Sequence, residues 1–379
     1  MALRPFAPPT TIDPYPTHTR LLRRSSPYHE PDLGAWMVTR QSDIAAILRN
    51  PRVFSSAGRT TADDPGSMIV LVNEDPPRHT QLRALVQRPL ARRLDDALGA
   101  WIVTLVDELL DAINPNDTEI MKEIGVPLPV SVIAHLLGIP DEDRDIFMRM
   151  RSPQPGQSQE ERVAEFTAIV NYLRRLVAAR QQVPQDDLIS ELFALDVDGP
   201  DLEESEVIGL CITLLVAGNE TTSNLIANLL NVLAERPALW QRLREEPTLI
   251  PMTIEEVIRW QSPTQTIFRT TTESTEIGGT RIPSGSVVGL AIGAANRDPR
   301  VFATPDTLDP DRDLSTHLGF GSGAHYCIGA PFARLEVETL LRALMKRFVT
   351  IERGATAAER QTESPFVLGF RRLPLRFTR

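Results

Sequence analysis

Gly319-Phe320-Gly321-Ser322-Gly323-Ala324-His325-Tyr326-Cys327-Ile328-Gly329 sets four glycines around one cysteine. Glycine takes positive φ at little steric cost, so the chain can wrap tightly here around something bulky. The run from Ala330 to Phe348 that follows has apolar residues at helical spacing and predicts a helix. A cysteine at the mouth of a helix meets free N–H groups and the positive end of the dipole, which favour a thiolate. Such a sulfur suits a metal centre as an axial ligand, but the same residues admit two other uses. One is a nucleophilic Cys327 with His325 as base, for which no orienting acid or oxyanion site is recognisable. The other is a phosphate loop read from Gly319-x-Gly-x-Gly, which lacks the Gly-Lys-Ser/Thr ending.

Composition narrows the setting. The chain has 379 residues, 42% hydrophobic and 24% charged, as ordinary globular proteins do, and its net charge of −10 gives no general attraction to nucleic acid or anionic membrane. Its two cysteines are Cys211, inside an apolar run, and Cys327. That count argues against a disulfide framework and fits a reducing cytoplasm. The six histidines show no zinc-type spacing. Residues 1–16 are proline-rich without the apolar core of a signal peptide, and no stretch is apolar enough to span a bilayer, so no membrane anchor is expected.

Working outward from the glycine loop, the chain reads as mainly helical with a smaller β region. Residues 1–30 read as an extended, proline-fixed lead-in. Ala35 to Thr39 predicts a strand, and Ser42 a cap for the helix through Ile44, Ile47 and Leu48. Asp75-Pro76-Pro77 predicts a capped helix start. On that helix His79 and Arg83 stand four apart on one face, either as a solvated basic face or as a clamp for an anion. Helical patterns run from Leu94 to Ile113, Pro129 to Leu137, Asp141 to Met150 and Glu160 to Gln182.

Leu202 to Glu235 predicts the longest helix, on the order of 45–50 Å. Its apolar interior is broken by Ala217-Gly218-Asn219-Glu220-Thr221-Thr222. Gly218 costs about 1 kcal/mol against alanine, and the Thr221 hydroxyl can back-bond to the Ala217 carbonyl. An acid beside an alcohol in an apolar core can relay protons. Glu256 and Arg259, three apart, can pair on the next helix. Past Pro263, threonine-rich alternation predicts short antiparallel strands over 264–272, 275–282 and 286–292. Thr362 to Thr378 reads as a hairpin with Phe366-Val367-Leu368 near its turn.

Four motifs then stand in one order: Gly218-Asn-Glu-Thr-Thr222, Glu256-x-x-Arg259, Leu308-Asp-Pro-Asp-Arg312 and Phe320-Gly-x-Gly-x-His-x-Cys327-x-Gly329. Together they resemble the cytochrome P-450 family, in its soluble bacterial class, over the chain from about Trp36 to the C-terminus. The resemblance implies a single haem domain over 1–379, with haem b between a long central distal helix and a proximal cysteine loop and helix. It implies Cys327 as axial ligand of the haem iron. His79, Arg83, Arg269 and His325 would bind the propionates, Glu220 and Thr221 would deliver protons, and Glu256, Arg259 and Arg312 would form a structural network. Met68, Ile69, Val70, Val216, Ala217, Thr264, Ile267, Phe366 and Val367 would line the substrate pocket. Asn219, Leu308 and Phe332 depart from the commonest pattern of the family without removing a group the chemistry needs.

The implied activity is that of a haem-thiolate monooxygenase using O₂ on a hydrophobic small molecule, by hydroxylation or epoxidation. Tailoring of a polyketide or macrolide, terpenoid or steroid-like product is the expectation. A fatty-acyl hydroxylase and a non-catalytic haem sensor are the alternatives. With no flavin, nicotinamide or iron–sulfur region recognisable, electrons are expected from an external ferredoxin and ferredoxin reductase. Arg334, Arg342, Lys346 and Arg347 suggest a locally basic face for such an acidic donor.

Overall fold

A computed structural model describes residues 12–23, 27–57, 69–148, 157–194 and 202–379. The helices are α1 (Tyr15–Leu22), α2 (Gln41–Leu48), α3 (Arg78–Arg93), α4 (Asp96–Ala112), α5 (Pro127–Leu136), α6 (Asp145–Met148) and α7 (Gln159–Gln182). They continue with α8 (Leu188–Ala194), α9 (Glu204–Ala234), α10 (Pro237–Glu245), α11 (Ile250–Trp260), α12 (Ile292–Ala295) and α13 (Ala330–Arg347). The strands are short: β1 (Tyr28–Glu30), β2 (Ala35–Val38), β3 (Phe54–Ser55), β4 (Thr118–Glu119), β5 (Ile267–Thr271) and β6 (Thr275–Ile277). Then come β7 (Thr280–Ile282), β8 (Val287–Leu290), β9 (Thr350–Arg353), β10 (Glu359–Arg360), β11 (Phe370–Arg372) and β12 (Pro374–Thr378). No helix of the described residues is long and apolar enough to cross a membrane.

Caps and spacing explain the main helices. In α4 the Asp95 carboxylate accepts from Leu98 N–H at 2.9 Å, satisfying one of the orphan donors of the first turn. Leu98, Ile102, Leu105, Val106 and Leu110 then recur on its buried face. A reciprocal capping box joins Ser158 and Glu161 at the start of α7. Glu203 and Glu206 form another at the start of α9. The 31 residues of α9 span about 46 Å and are buried along most of their length, so this helix is the axis on which α5, α7 and α11 pack.

The largest sheet has the order β1-β2-β8-β5-β3. The expected antiparallel pairing holds for β5 with β8 and for β6 with β7. The other edge of β8 takes β2 in parallel, Ala35 opposite Val287. A second apolar cluster, including Val38, Ile44, Val288 and Leu290, fills the space between this sheet and α2.

Five expectations are corrected. Part of the lead-in is helical, because Pro14 and Pro16 fall at the start of α1, where a missing N–H costs little. Ser42 does not cap α2; the helix starts at Gln41, whose N–H donates to Asp298 Oδ2 at 3.1 Å. Asp75 does not cap α3, since its carboxylate accepts from the Ser55 hydroxyl and, at 2.8 Å, from Ser56 N–H. The helix expected from Asp141 starts as a 3₁₀ turn, Asp141–Asp143, before α6, and residues 149–150 lie outside the described ones. Residues 362–378 do not fold on themselves: β11 pairs with β10, β12 lies between β4 and β9, and Val367 bridges Thr264.

The irregular stretch before the cysteine loop is held by α11. Glu256 and Arg259 are both 0% exposed and form a bidentate pair at 2.7 Å. The remaining Arg259 donors reach the carbonyls of Asn296, Pro305 and Thr307 at 2.8, 2.9 and 3.2 Å. Glu256 also accepts from Asp309 N–H at 2.8 Å, with Arg312 Nε at 3.6 Å. Arg259→Leu leaves a buried carboxylate without its partner and is expected to cost about 3–5 kcal/mol in urea unfolding. A cost below about 1 kcal/mol would contradict the burial of this pair.

Candidate active site

The glycine loop is a backbone cradle. Gly321 and Gly323 have φ of 75° and 71°, and a Cβ on Gly323 would stand 2.4 Å from the Leu48 carbonyl oxygen at the end of α2. Only glycine fits there. The Cys327 N–H donates to the Phe320 carbonyl at 2.9 Å, closing the loop so that the sulfur sits at the start of α13. Burial pushes the Cys327 thiol up; the N–H groups of Gly329 and Ala330 and the charges of Arg83 and Arg334 oppose this. The helix terminus thus lowers the thiol as its sequence position predicts, but desolvation wins. A cation bound directly at sulfur is what would stabilise a thiolate here.

Around this loop the structure gathers the predicted cations. His79, on α3, packs on His325 with ring centroids 4.0 Å apart, and the Ser56 hydroxyl lies 3.1 Å from His325 Nε2. Both ring nitrogens of His79 are buried and, among the described residues, have no hydrogen-bond partner. Burial and the neighbouring cations Arg83 and Arg269 hold His79 below the usual histidine range. Burial, then His79 and Arg269, push His325 down to about 3. Burial also lowers Arg83 and Arg269, and Asp75 partly offsets this at Arg269. Two arginines and two histidines whose neutral form is favoured therefore converge where acid is scarce and where, among the described residues, the ring nitrogens of His79 stand without a partner. Such a donor set fits a group carrying two carboxylates beside a sulfur-ligated metal.

On α9 most residues are buried, yet Val216, Ala217, Glu220 and Thr221 leave one stripe uncovered by protein. Thr221 Oγ1 donates to the Ala217 carbonyl at 2.8 Å, as expected. Gly218 lets Ile133 approach: a Cβ there would meet Ile133 Cδ1 at 2.7 Å. Of the predicted pocket, Met68 lies outside the described residues. Ile69 and Val70 are half-buried, and the Val70 carbonyl accepts from Thr213 Oγ1 at 2.9 Å, fixing this segment to α9. Leu71 follows at φ 67°, in a tight turn where Val72 N–H donates to the Val70 carbonyl. Thr264 bridges Val367, Phe366 packs edge-on against Phe268 at 5.0 Å, and Ile267 opens β5 beside them.

Sequence reasoning passed over two acids. Glu255 and Glu256 are adjacent on α11, so a turn of about 100° sends them to different partners. Glu255 accepts from Arg334 at 2.6 and 2.9 Å and lies 2.9 Å from His317 Nε2. Burial alone would raise its carboxyl, but the bonds from Arg334 and His317 outweigh it and hold the group at about 2. The tandem acid was the available signal. The basic patch read on α13 is largely offset, since Arg334 pairs with Glu255, Arg342 with Glu338, and Arg347 with Asp107 and Asp111.

The cytochrome P450 family model matches residues 145–378. Cytochrome P450 109 of Bacillus spizizenii is 36% identical over 378 residues, covering 96% of this chain and 92% of that protein. The chain belongs to the cytochrome P450 family. Erythromycin C-12 hydroxylase of Saccharopolyspora erythraea is 34% identical and 97% covered in both chains. Among solved structures, cytochrome P450 CYP109Q5 from Chondromyces apiculatus superposes with a TM-score of 0.90 at 37% identity, covering 98% of this chain and 97% of that one. The P450 fold, its haem-iron chemistry and monooxygenase activity follow from that membership.

The second overlooked acid, Glu336, lies on α13 beyond the cysteine loop. It is 3% exposed, its Oε2 has no partner among the described residues, and burial pushes its carboxyl up to about 8. Because the folded value lies above the unfolded one, its protonated form favours folding fully below about pH 4.5, and that contribution is lost as pH rises through about 8. Glu336→Gln is expected to flatten the fall in urea midpoint between about pH 5 and about pH 9. A wild-type slope retained in this variant would contradict the assignment.

Proposed function

We propose that this P450 carries haem b and inserts one oxygen atom from O₂ into a bulky hydrophobic natural product, a polyketide or macrolide, terpenoid or steroid-like molecule. The observation that carries the haem assignment is the meeting of His79, Arg83, Arg269 and His325 at the cysteine loop, with both His79 nitrogens buried and unpartnered. Cys327 would hold the iron through Sγ, and Arg83, Arg269, His79 and His325 would hold the propionates. Haem bound to thiolate supplies O₂ activation and O–O cleavage. The substrate class is supported by relatives named for hydroxylating erythromycin at C-12 and vitamin D₃ at C-25, and by a similar P450 crystallised with corticosterone. The chain is proposed to work as one haem domain in the cytoplasm, with electrons from a separate ferredoxin and its reductase.

The residues divide the work by position. Glu220 and Thr221 share the uncovered stripe of α9. Glu220 would take protons from solvent and hand them to the Thr221 hydroxyl, whose present partner is the Ala217 carbonyl. Val216, Ala217, Ile69, Val70, Thr264, Ile267, Phe366 and Val367 would orient an apolar substrate and exclude water beside that stripe. Glu256, Arg259 and Arg312 would keep the cysteine loop fixed against the charge it holds.

Thr221→Ala should cut product formed per NAD(P)H by about 10-fold or more and raise peroxide in a reconstituted assay, and unchanged coupling would reject the proton role. Cys327→Ser should abolish the red-shifted Soret band of the reduced carbon-monoxide complex. A variant that keeps this band would sink the ligand assignment.

A further inference from the structure

We infer that the protein has a second small-molecule site, in a polar cleft of about 650 Å³ bounded by α1, the C-terminal part of α9, the end of α11 and the strands β9 to β11. The cleft is remote from the distal stripe. Asn231, which lines it, stands eleven residues beyond Glu220 on α9, about 16 Å along the helix. Protein fills the gap between them. Asn228 Nδ2 donates to the carbonyls of Gln261 and Leu368 at 3.3 and 2.9 Å.

Three features make this a built site rather than a surface dent. Asn231 is 1% exposed and Gln261 8% exposed, and among the described residues the side-chain oxygen of each has no hydrogen-bond donor. A buried amide oxygen left unmatched costs about 1–3 kcal/mol, and both residues line the cleft. Beside them lies Arg360. Its guanidinium stacks 3.9 Å over the Phe370 ring and donates to Asn228 Oδ1 at 2.9 Å. Among the described residues no carboxylate lies within ion-pair distance of it; burial disfavours its charge, while Glu235 and Asp13, which also line the cleft, favour it from further away. The other lining arginines are matched, Arg297 to Asp306 and Arg353 to Glu235. Tyr15 closes one wall, fixed by Arg297 at 3.4 Å from its ring.

The ligand chemistry follows from what is unmatched. One fixed guanidinium calls for a carboxylate, which it grips with planar N–H pairs. Two amide oxygens call for a hydroxyl or amino donor a short distance away. Phe370 and Leu368 leave room for an apolar body between the two ends. The site is therefore assigned to a small hydroxylated or amino-bearing carboxylate, and its charge and small size separate it from the hydrophobic substrate of the oxygen site.

Calorimetric titration of the holoenzyme with 4-hydroxyphenylacetate tests this, with the Soret band followed in parallel. Saturable binding is expected with a Kd of about 1 mM or tighter, and with no Soret change. Arg360→Gln should weaken it at least about 10-fold and Asn231→Ala several-fold, while 4-hydroxyphenylacetamide, which lacks the carboxylate, should bind at least about 10-fold more weakly to the unaltered protein. The ligand comparison needs no variant, so it stands even where a substitution impairs folding. Absence of saturable heat, a Soret shift that tracks binding, or equal affinity for the acid and the amide would each overturn the assignment.

Discussion

A guanidinium sealed from water must find protein partners for all five of its N–H donors, and Arg259 does so with one carboxylate and three backbone carbonyls. Those carbonyls belong to residues 296–307, a stretch with little regular structure of its own. Without the pair this stretch would lose the anchors that set its path toward the glycine loop. Glu256 extends the same hold to Asp309 and Arg312. The loop that carries Cys327 thus inherits its position from a helix that does not touch the sulfur. Charge buried at this depth contributes specificity of path more than net stability.

The opposite economy governs the loop itself. Arg83 and Arg269 disfavour a charge on His79 and His325, and burial disfavours a charge on all four. Asp75 offsets a little of this while bonded to Ser55 and Ser56. Anions arriving at this cluster would offset the burial of the two arginines and engage the ring of His79, so binding there and folding support each other.

The long elements were legible in the sequence because their signals are local. The extent of α9 followed from acids at its start and a proline after its end, and the back-bond of Thr221 from the spacing of a β-hydroxyl to a carbonyl one turn earlier. The burial of Glu256 and Arg259 was readable from their apolar neighbours. What was not legible depends on distant partners. Ser42 looked like a cap, but Asp298 supplies the acceptor from 257 residues away. Asp75 was claimed by β3 and the residue after it rather than by its own helix. The parallel edge of β8 and the bridge from Val367 to Thr264 leave no local trace, since strand pattern gives a face but not a neighbour. The cation cluster was named through family resemblance; spacing alone left His79 and Arg83 as an ordinary basic face.

The parallel edge of β8 also sets a schedule. β2 is complete by Val38, whereas its partner begins at Val287, 252 residues after Ala35. At ribosomal rates of roughly 5–20 residues per second, the hairpin of β1 and β2 waits about 13–50 s with one edge unpaired. The backbone groups of its open edge face water or another strand for that interval. The N-terminal hairpin thus waits long for shelter, and its sheet is finished only once Leu290 has been made.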